Sequence, residues 1–123
     1  MRKLCETLRQ AMEQAGLRDG MTISFHHHLR NGDYVLNMVL DEAAKMGVKD
    51  LTVNASSVFD CYEPMLDHIR NGVVTGLETD YIAPGIGREL SKGILPKPII
   101  FRTHGSRPAD ILSGRSLIDI AFI

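Results

Sequence analysis

Cysteine is scarce: only Cys5 and Cys61 occur, 56 positions apart, and no Cys-x-x-Cys pair exists. That spacing offers neither a zinc pattern nor a disulfide framework, so two free thiols in a reducing compartment are expected. An excess of charge of one sign is also missing. Lys and Arg number 14 against 15 Asp and Glu, a net charge of -1. No general polyanion-binding surface follows, and a nucleic-acid partner is not expected. No apolar run approaches the roughly 20 residues that a membrane span needs. The opening Met1-Arg2-Lys3-Leu4-Cys5-Glu6 carries an acid at once instead of an apolar signal core. The expectation is a cytoplasmic protein with no membrane partner. Three catalytic signatures are missing as well. His26-His27-His28 stands where a dinucleotide fingerprint needs Gly-x-Gly-x-x-Gly. There is no Gly-x-x-x-x-Gly-Lys-Ser/Thr, and Ser56-Ser57 lack the Gly-x-Ser-x-Gly of a nucleophile elbow.

What is present is an ordinary globular composition, 44% hydrophobic and 24% charged over 123 residues, which suits one domain. Leu4, Leu8, Ala11, Met12 and Ala15 recur at helical spacing before Gly16. Residues 21–25 then predict a strand. Asp33 is placed to cap a helix over 34–46, which carries Val35, Met38, Val39 and Ala43 on one stripe and stops at Gly47. A second strand is expected over 51–54. Asp60 or Glu63 starts a helix with Met65, Leu66 and Ile69, and Pro64 falls in its first turn. A third strand covers 73–77, a short helix 88–92, a fourth strand 99–102, a short helix 109–112 and a last strand 117–122. Strand and helix thus alternate at the spacing of right-handed βαβ crossovers. The expected fold class is α/β, a mainly parallel sheet of about five strands flanked by helices on both faces. The nearly all-apolar strands 23–25, 51–53 and 99–101 fit coverage of both faces. The last apolar run is still in progress at Ile123, which predicts that 1–123 is one truncated domain.

Ligands of parallel sheets bind beyond the strand C-termini, here the loops 26–33, 54–60, 78–87 and 103–108. The first holds His26, His27, His28, Arg30, Asn31 and Gly32. Consecutive residues of an extended chain point to alternate sides, so the triplet makes a poor metal site and no metal is expected. It reads either as a polar loop or as imidazoles, Arg30 and backbone N–H groups facing an anion at a helix start. Ser56 and Ser57 are hydroxyls for a ligand or a plain loop. Gly85 and Gly87 form either a tight turn or a close backbone approach with N–H groups aimed at a ligand. Thr103, His104, Gly105, Ser106 and Arg107 combine hydroxyls, an imidazole and a guanidinium whose planar fork suits carboxylate or phosphate, in what is otherwise a solvated loop.

Several segments together are specific. They are Arg2-Lys3-Leu4-Cys5; Gly20-Met21-Thr22-Ile23-Ser24-Phe25-His26-His27 followed by Gly32-Asp33; Lys49-Asp50-Leu51-Thr52; His68-Ile69-Arg70-Asn71-Gly72-Val73-Val74-Thr75; and Asp119-Ile120-Ala121-Phe122. In order and over nearly the whole chain, they resemble the alpha subunit of citrate lyase, the citrate CoA-transferase component. The resemblance implies a CoA-transferase-like fold and a transferase that exchanges acetyl for citrate on an acyl carrier protein thioester. The implied partners are the citrate lyase beta subunit, which cleaves the citryl thioester, and the acyl carrier (gamma) subunit. The CoA-like prosthetic group belongs to that carrier, so no cofactor bound covalently to this chain is expected. Family alpha subunits are much longer, with two related halves and the site between them, which implies that residues 1–123 alone are inactive. The family's His-Gly-Gly-Arg reads His104-Gly105-Ser106-Arg107 here.

Such an exchange needs donors to hold a polyanionic citrate and donors aimed at the oxyanion on the thioester carbonyl. Arg30, Arg107 and the histidines are candidate holders, and Gly85 and Gly87 candidate N–H donors. No glutamate motif for covalent attack stands out, so no catalytic nucleophile is assigned. The expected ligand position is near 26–31 and 103–107, with Arg107→Ala and His27→Ala in the full-length, partner-containing enzyme weakening citrate use and leaving the melting temperature nearly unchanged. The alternative from a different class is a sugar-phosphate-binding or isomerase-like α/β module.

Overall fold

A strand turns successive side chains to opposite faces, and that rule divides this protein into two unlike halves. In the computed structural model, which describes residues 3–26, 31 and 33–123, five strands form one parallel sheet: β1 (Thr22–Phe25), β2 (Leu51–Ala55), β3 (Val74–Thr79), β4 (Ile100–Phe101) and β5 (Ile120–Phe122). Their order is β4-β3-β2-β1-β5. Register aligns Ile23, Val53 and Leu77 in one row and Ser24, Asn54 and Glu78 in the next. One face is therefore apolar and the other carries a row of polar side chains.

The apolar face is covered by α1 (Leu8–Gln14), α2 (Val35–Lys45), α3 (Met65–Arg70) and α4 (Pro84–Leu90). Met12, Leu36, Val39, Leu40, Met65, Leu66, Ile69 and Ile86 share one buried cluster with Ile23, Phe25, Val53 and Leu77. Thr7 caps α1 by accepting from the Gln10 N–H at 3.2 Å. Asp33 accepts from the Val35 N–H at 2.9 Å, the start expected for α2.

The chain steps outward from β1 to β4 and then crosses back to β5 beside β1. Right-handed crossovers that run in opposite directions fall on opposite faces. The return segment, with α5 (Arg107–Leu112), accordingly meets the polar row. Among the described residues, helices flank both faces as expected, α1 to α4 on one side and α5 on the other.

Two expectations are corrected. The helix expected over 88–92 spans Pro84–Leu90. Proline supplies a preset φ at its first position, and the Asp60 carboxylate accepts the Ile86 N–H at 3.1 Å, so the helix starts four residues earlier. The fourth strand is not covered on both faces. It pairs only with β3, and Ile100 and Phe101 are 47% and 61% exposed. Its apolar character is that of a two-residue edge.

Candidate functional site

The expected site segments converge because of the return crossover. β4 lies three strands from β1, about 14 Å at the usual spacing, too far for their loops to meet directly. Arg107, at the start of α5, closes that gap: its guanidinium donates to Asn54 Oδ1 on β2 and to Ser24 Oγ on β1, the latter at 3.1 Å. Asn54, fully buried, also donates through Nδ2 to Ser116 Oγ at 2.8 Å. Arg102 pairs with Glu78 at the other end of the row and donates to the Arg115 carbonyl at 2.8 Å. Asp110, the buried residue of α5, accepts from Ser106 Oγ at 2.8 Å and pairs with Arg115 at 2.9 Å. The Ser106 hydrogen bond, then Arg115 and Arg102, hold the Asp110 carboxyl below its usual range against the opposing effect of burial. The Glu78 hydrogen bond likewise raises the Arg102 guanidinium.

The loops at the strand C-terminal ends form the rim above this row. Ser56, buried, follows β2, and its carbonyl accepts the Asp80 N–H at 3.2 Å. Ser57 is half-buried beside it. Asp80, just past β3, takes His104 Nδ1 at 3.0 Å; the carboxylate is largely buried and the imidazole 76% exposed. Thr103 Oγ1 accepts the Ser106 N–H at 3.1 Å. Gly105 is exposed, and a Cβ there would meet nothing within 4 Å. Asn31, Phe59, Cys61, Tyr81, Ala83 and Pro84 line an open cleft of about 340 Å³ on the same crest. The Asn31 carbonyl accepts the Cys61 thiol at 2.5 Å, and partial burial pushes that thiol's pKa up.

Ser56, Thr103, His104 and Arg107 thus gather at one end of the sheet, with Asn31 on the neighbouring cleft. His26 is exposed immediately after β1. His27, Arg30 and Gly32 lie outside the described residues.

Gly85 and Gly87 sit differently from the expected ligand-facing turn. Both are inside α4, and a Cβ on Gly85 would lie 2.6 Å from Asp60 Oδ1. The close approach that glycine permits here is to the protein's own carboxylate, which already takes the N–H at the helix start. Arg107 has two side-chain partners on the sheet, Asn54 and Ser24, which anchor its guanidinium beneath the crest.

Residue-type reasoning overlooked Asn54, Glu78, Asp80, Arg102 and Asp110. The available signal was a polar residue next to the last position of each of three strands: Ser24, Asn54 and Glu78. Among the described residues there is no group of His, Cys, Asp or Glu able to hold a metal, and no helix long and apolar enough to cross a membrane.

A parallel α/β domain with polar groups gathered at the C-terminal ends of its strands belongs to the class of open-sheet α/β proteins, which bind ligands at that crest. The family model described as "Citrate lyase, alpha subunit (CitF)" matches residues 1–123, and the chain belongs to that family. It is 47% identical over 122 residues to the citrate lyase alpha chain of Escherichia coli K12 and 43% identical to that of Haemophilus influenzae. In each case 99% of this chain matches 24% of the relative, so the chain spans about a quarter of the relatives' length. A solved structure described as the alpha subunit of citrate lyase in complex with citrate, from Streptococcus mutans, superposes with a TM-score of 0.94 at 48% identity. It covers 99% of this chain and 24% of that one. The CoA-transferase-like α/β fold agrees with this relationship.

Proposed function

We propose that this chain supplies the N-terminal α/β part of a citrate CoA-transferase, the component that exchanges acetyl for citrate on an acyl carrier protein thioester. The observation that carries the reading is the 48% identity, along 99% of this chain, to a structure described as holding citrate. The partners are the citrate lyase beta subunit and the acyl carrier subunit, and the compartment is the cytoplasm. The carrier brings the CoA-like group and its thioester. This chain's part is to hold citrate. His104 and the hydroxyls of Ser56, Ser57 and Thr103 ring the crest, and Arg107 places a positive charge beneath it. A cationic floor draws carboxylates, and the hydroxyl donors around it fix their orientation. Residues 1–123 make up one portion of a longer protein and lack turnover by themselves.

The test is a citrate titration followed through backbone amide resonances. Millimolar citrate is expected to move residues 54–57, 78–82 and 102–107, with no acetyl–citrate exchange on an acetylated carrier by this chain alone. Unmoved crest resonances overturn the citrate site. Turnover by residues 1–123 overturns the reading of the chain as an incomplete enzyme.

A further inference from the structure

The imidazole of His104 is exposed, yet its ring is not free to turn. Asp80 fixes it through Nδ1 at 3.0 Å, and the Asp80 side chain is 7% exposed. Asp80 is itself held in the fold, since its backbone N–H donates to the Ser56 carbonyl at 3.2 Å. A carboxylate only accepts hydrogen bonds, so the Nδ1 of a neutral ring must carry the proton. Nε2, on the opposite side of the ring, then presents a lone pair outward and has no hydrogen-bond partner among the described residues. An oriented lone pair is the wrong partner for a carboxylate and the right one for a hydroxyl.

We infer that Asp80 is a positioning residue that locks His104 in the Nδ1–H tautomer, and that His104 Nε2 accepts a hydrogen bond from the hydroxyl of a hydroxypolycarboxylate ligand. This rests on the citrate-site reading above and adds the specificity element to it. Arg107 and the crest hydroxyls answer to the carboxylates, which citrate shares with tricarballylate, the same skeleton without the hydroxyl. The Asp80–His104 pair answers to the hydroxyl that only citrate has. Citrate pairs the Nε2 acceptor directly whereas tricarballylate leaves it to water, so the two ligands differ by one net hydrogen bond.

The test uses the 123-residue chain at pH 8, above the ordinary histidine range. Long-range proton–nitrogen spectra report the ring tautomer, and calorimetry compares citrate with tricarballylate. Parental His104 is expected as Nδ1–H, with citrate shifting Nε2 and binding about five- to tenfold more tightly than tricarballylate, the worth of one net hydrogen bond. Asp80→Ala should return the ring to the Nε2–H form preferred by free imidazole and abolish the preference. Asp80→Asn, which still offers a carbonyl oxygen, should restore both. His104→Ala should remove the preference. An Nε2–H ring in the parent, or a preference that survives Asp80→Ala or His104→Ala, overturns the inference. So does citrate that moves Thr103 and Arg107 and leaves Nε2 unmoved, although the citrate site then stands. Citrate that moves none of the crest overturns the site itself, whatever the tautomer.

Discussion

Val53 and Asn54 are neighbours in one strand, as are Leu77 and Glu78, yet they face two different kinds of interior. Val53 and Leu77 meet four helices and an unbroken apolar cluster. Asn54 and Glu78 meet a single returning segment that reaches them with Arg107, Ser116 and Arg102. The first face is held by removal of area from water, which tolerates changes of partner. The second is held by directed bonds between charged and polar groups, each of which needs its particular counterpart. Apolar packing and directed polar bonding are thereby separated across the thickness of one sheet. Helices pack against one side, and the opposite side carries a row of polar groups bonded to the returning segment.

Four measurements test that division. Leu77→Ala opens a cavity under the helices and is expected to destabilise by about 2–5 kcal/mol in urea unfolding. A smaller loss would mean that the apolar face is loosely packed. Asn54→Ala leaves Arg107 and Ser116 without their buried partner and is expected to cost about 1.5–3 kcal/mol. Arg107→Ala removes two bonds to the sheet as well, to Asn54 and Ser24, and should lower the melting temperature too, where the sequence alone led to the expectation of a nearly unchanged one. If the two losses add in the double variant, the residues do not act on each other and the polar face is not a network.

A smaller effect is expected in α4, where two glycines differ in surroundings. At Gly87 an added Cβ lies 3.5 Å from Ile82, an ordinary contact, so Gly87→Ala should stabilise by about 0.5–1 kcal/mol through helix propensity. At Gly85 the Cβ displaces the Asp60 carboxylate from the Ile86 N–H. That loss of a cap cancels the propensity gain, and the two variants should differ by about 1 kcal/mol. Equal thermal shifts would show that Asp60 does not hold the start of the helix.

The last effect is a slope. Asp110 titrates below the ordinary carboxyl value, so its contribution to stability is present in full above the unfolded value of about 3.9 and is lost as pH falls through the lower folded one. Asp110→Asn should flatten the acid limb of urea stability below about pH 4 and leave its shape at neutral pH unchanged. An unchanged acid limb would mean that Ser106 and Arg115 do not hold this carboxylate.

Alternation of short apolar runs with amphipathic helical stripes was enough to order the strands as parallel and to place α2 and its Asp33 cap, because those are local patterns of period 2 and 3.6. The start of α4 was not legible. Its cap comes from Asp60, 26 positions away in the chain, and a local window contains no such residue. The same distance hid the polar row. Ser24 looks like a lapse in one apolar strand, and only the register beside Asn54 and Glu78 makes it part of a line. The specific run 20–27 and the run 68–75 pointed to the family without any structure.

By itself, then, the sequence determined the parallel α/β class, the loops that crown the strands and the kinship with citrate lyase alpha subunits. These follow from periodicity and from ordered local strings. The tertiary structure alone decided which of the crowning residues act together. Arg107 is anchored on Ser24 and Asn54, 83 and 53 positions away, and His104 is oriented by Asp80, 24 positions away. Such pairings exist only once the return crossover has carried one end of the chain across the sheet, because a hydrogen bond is set by distance and angle in space and leaves no trace in the spacing along the chain.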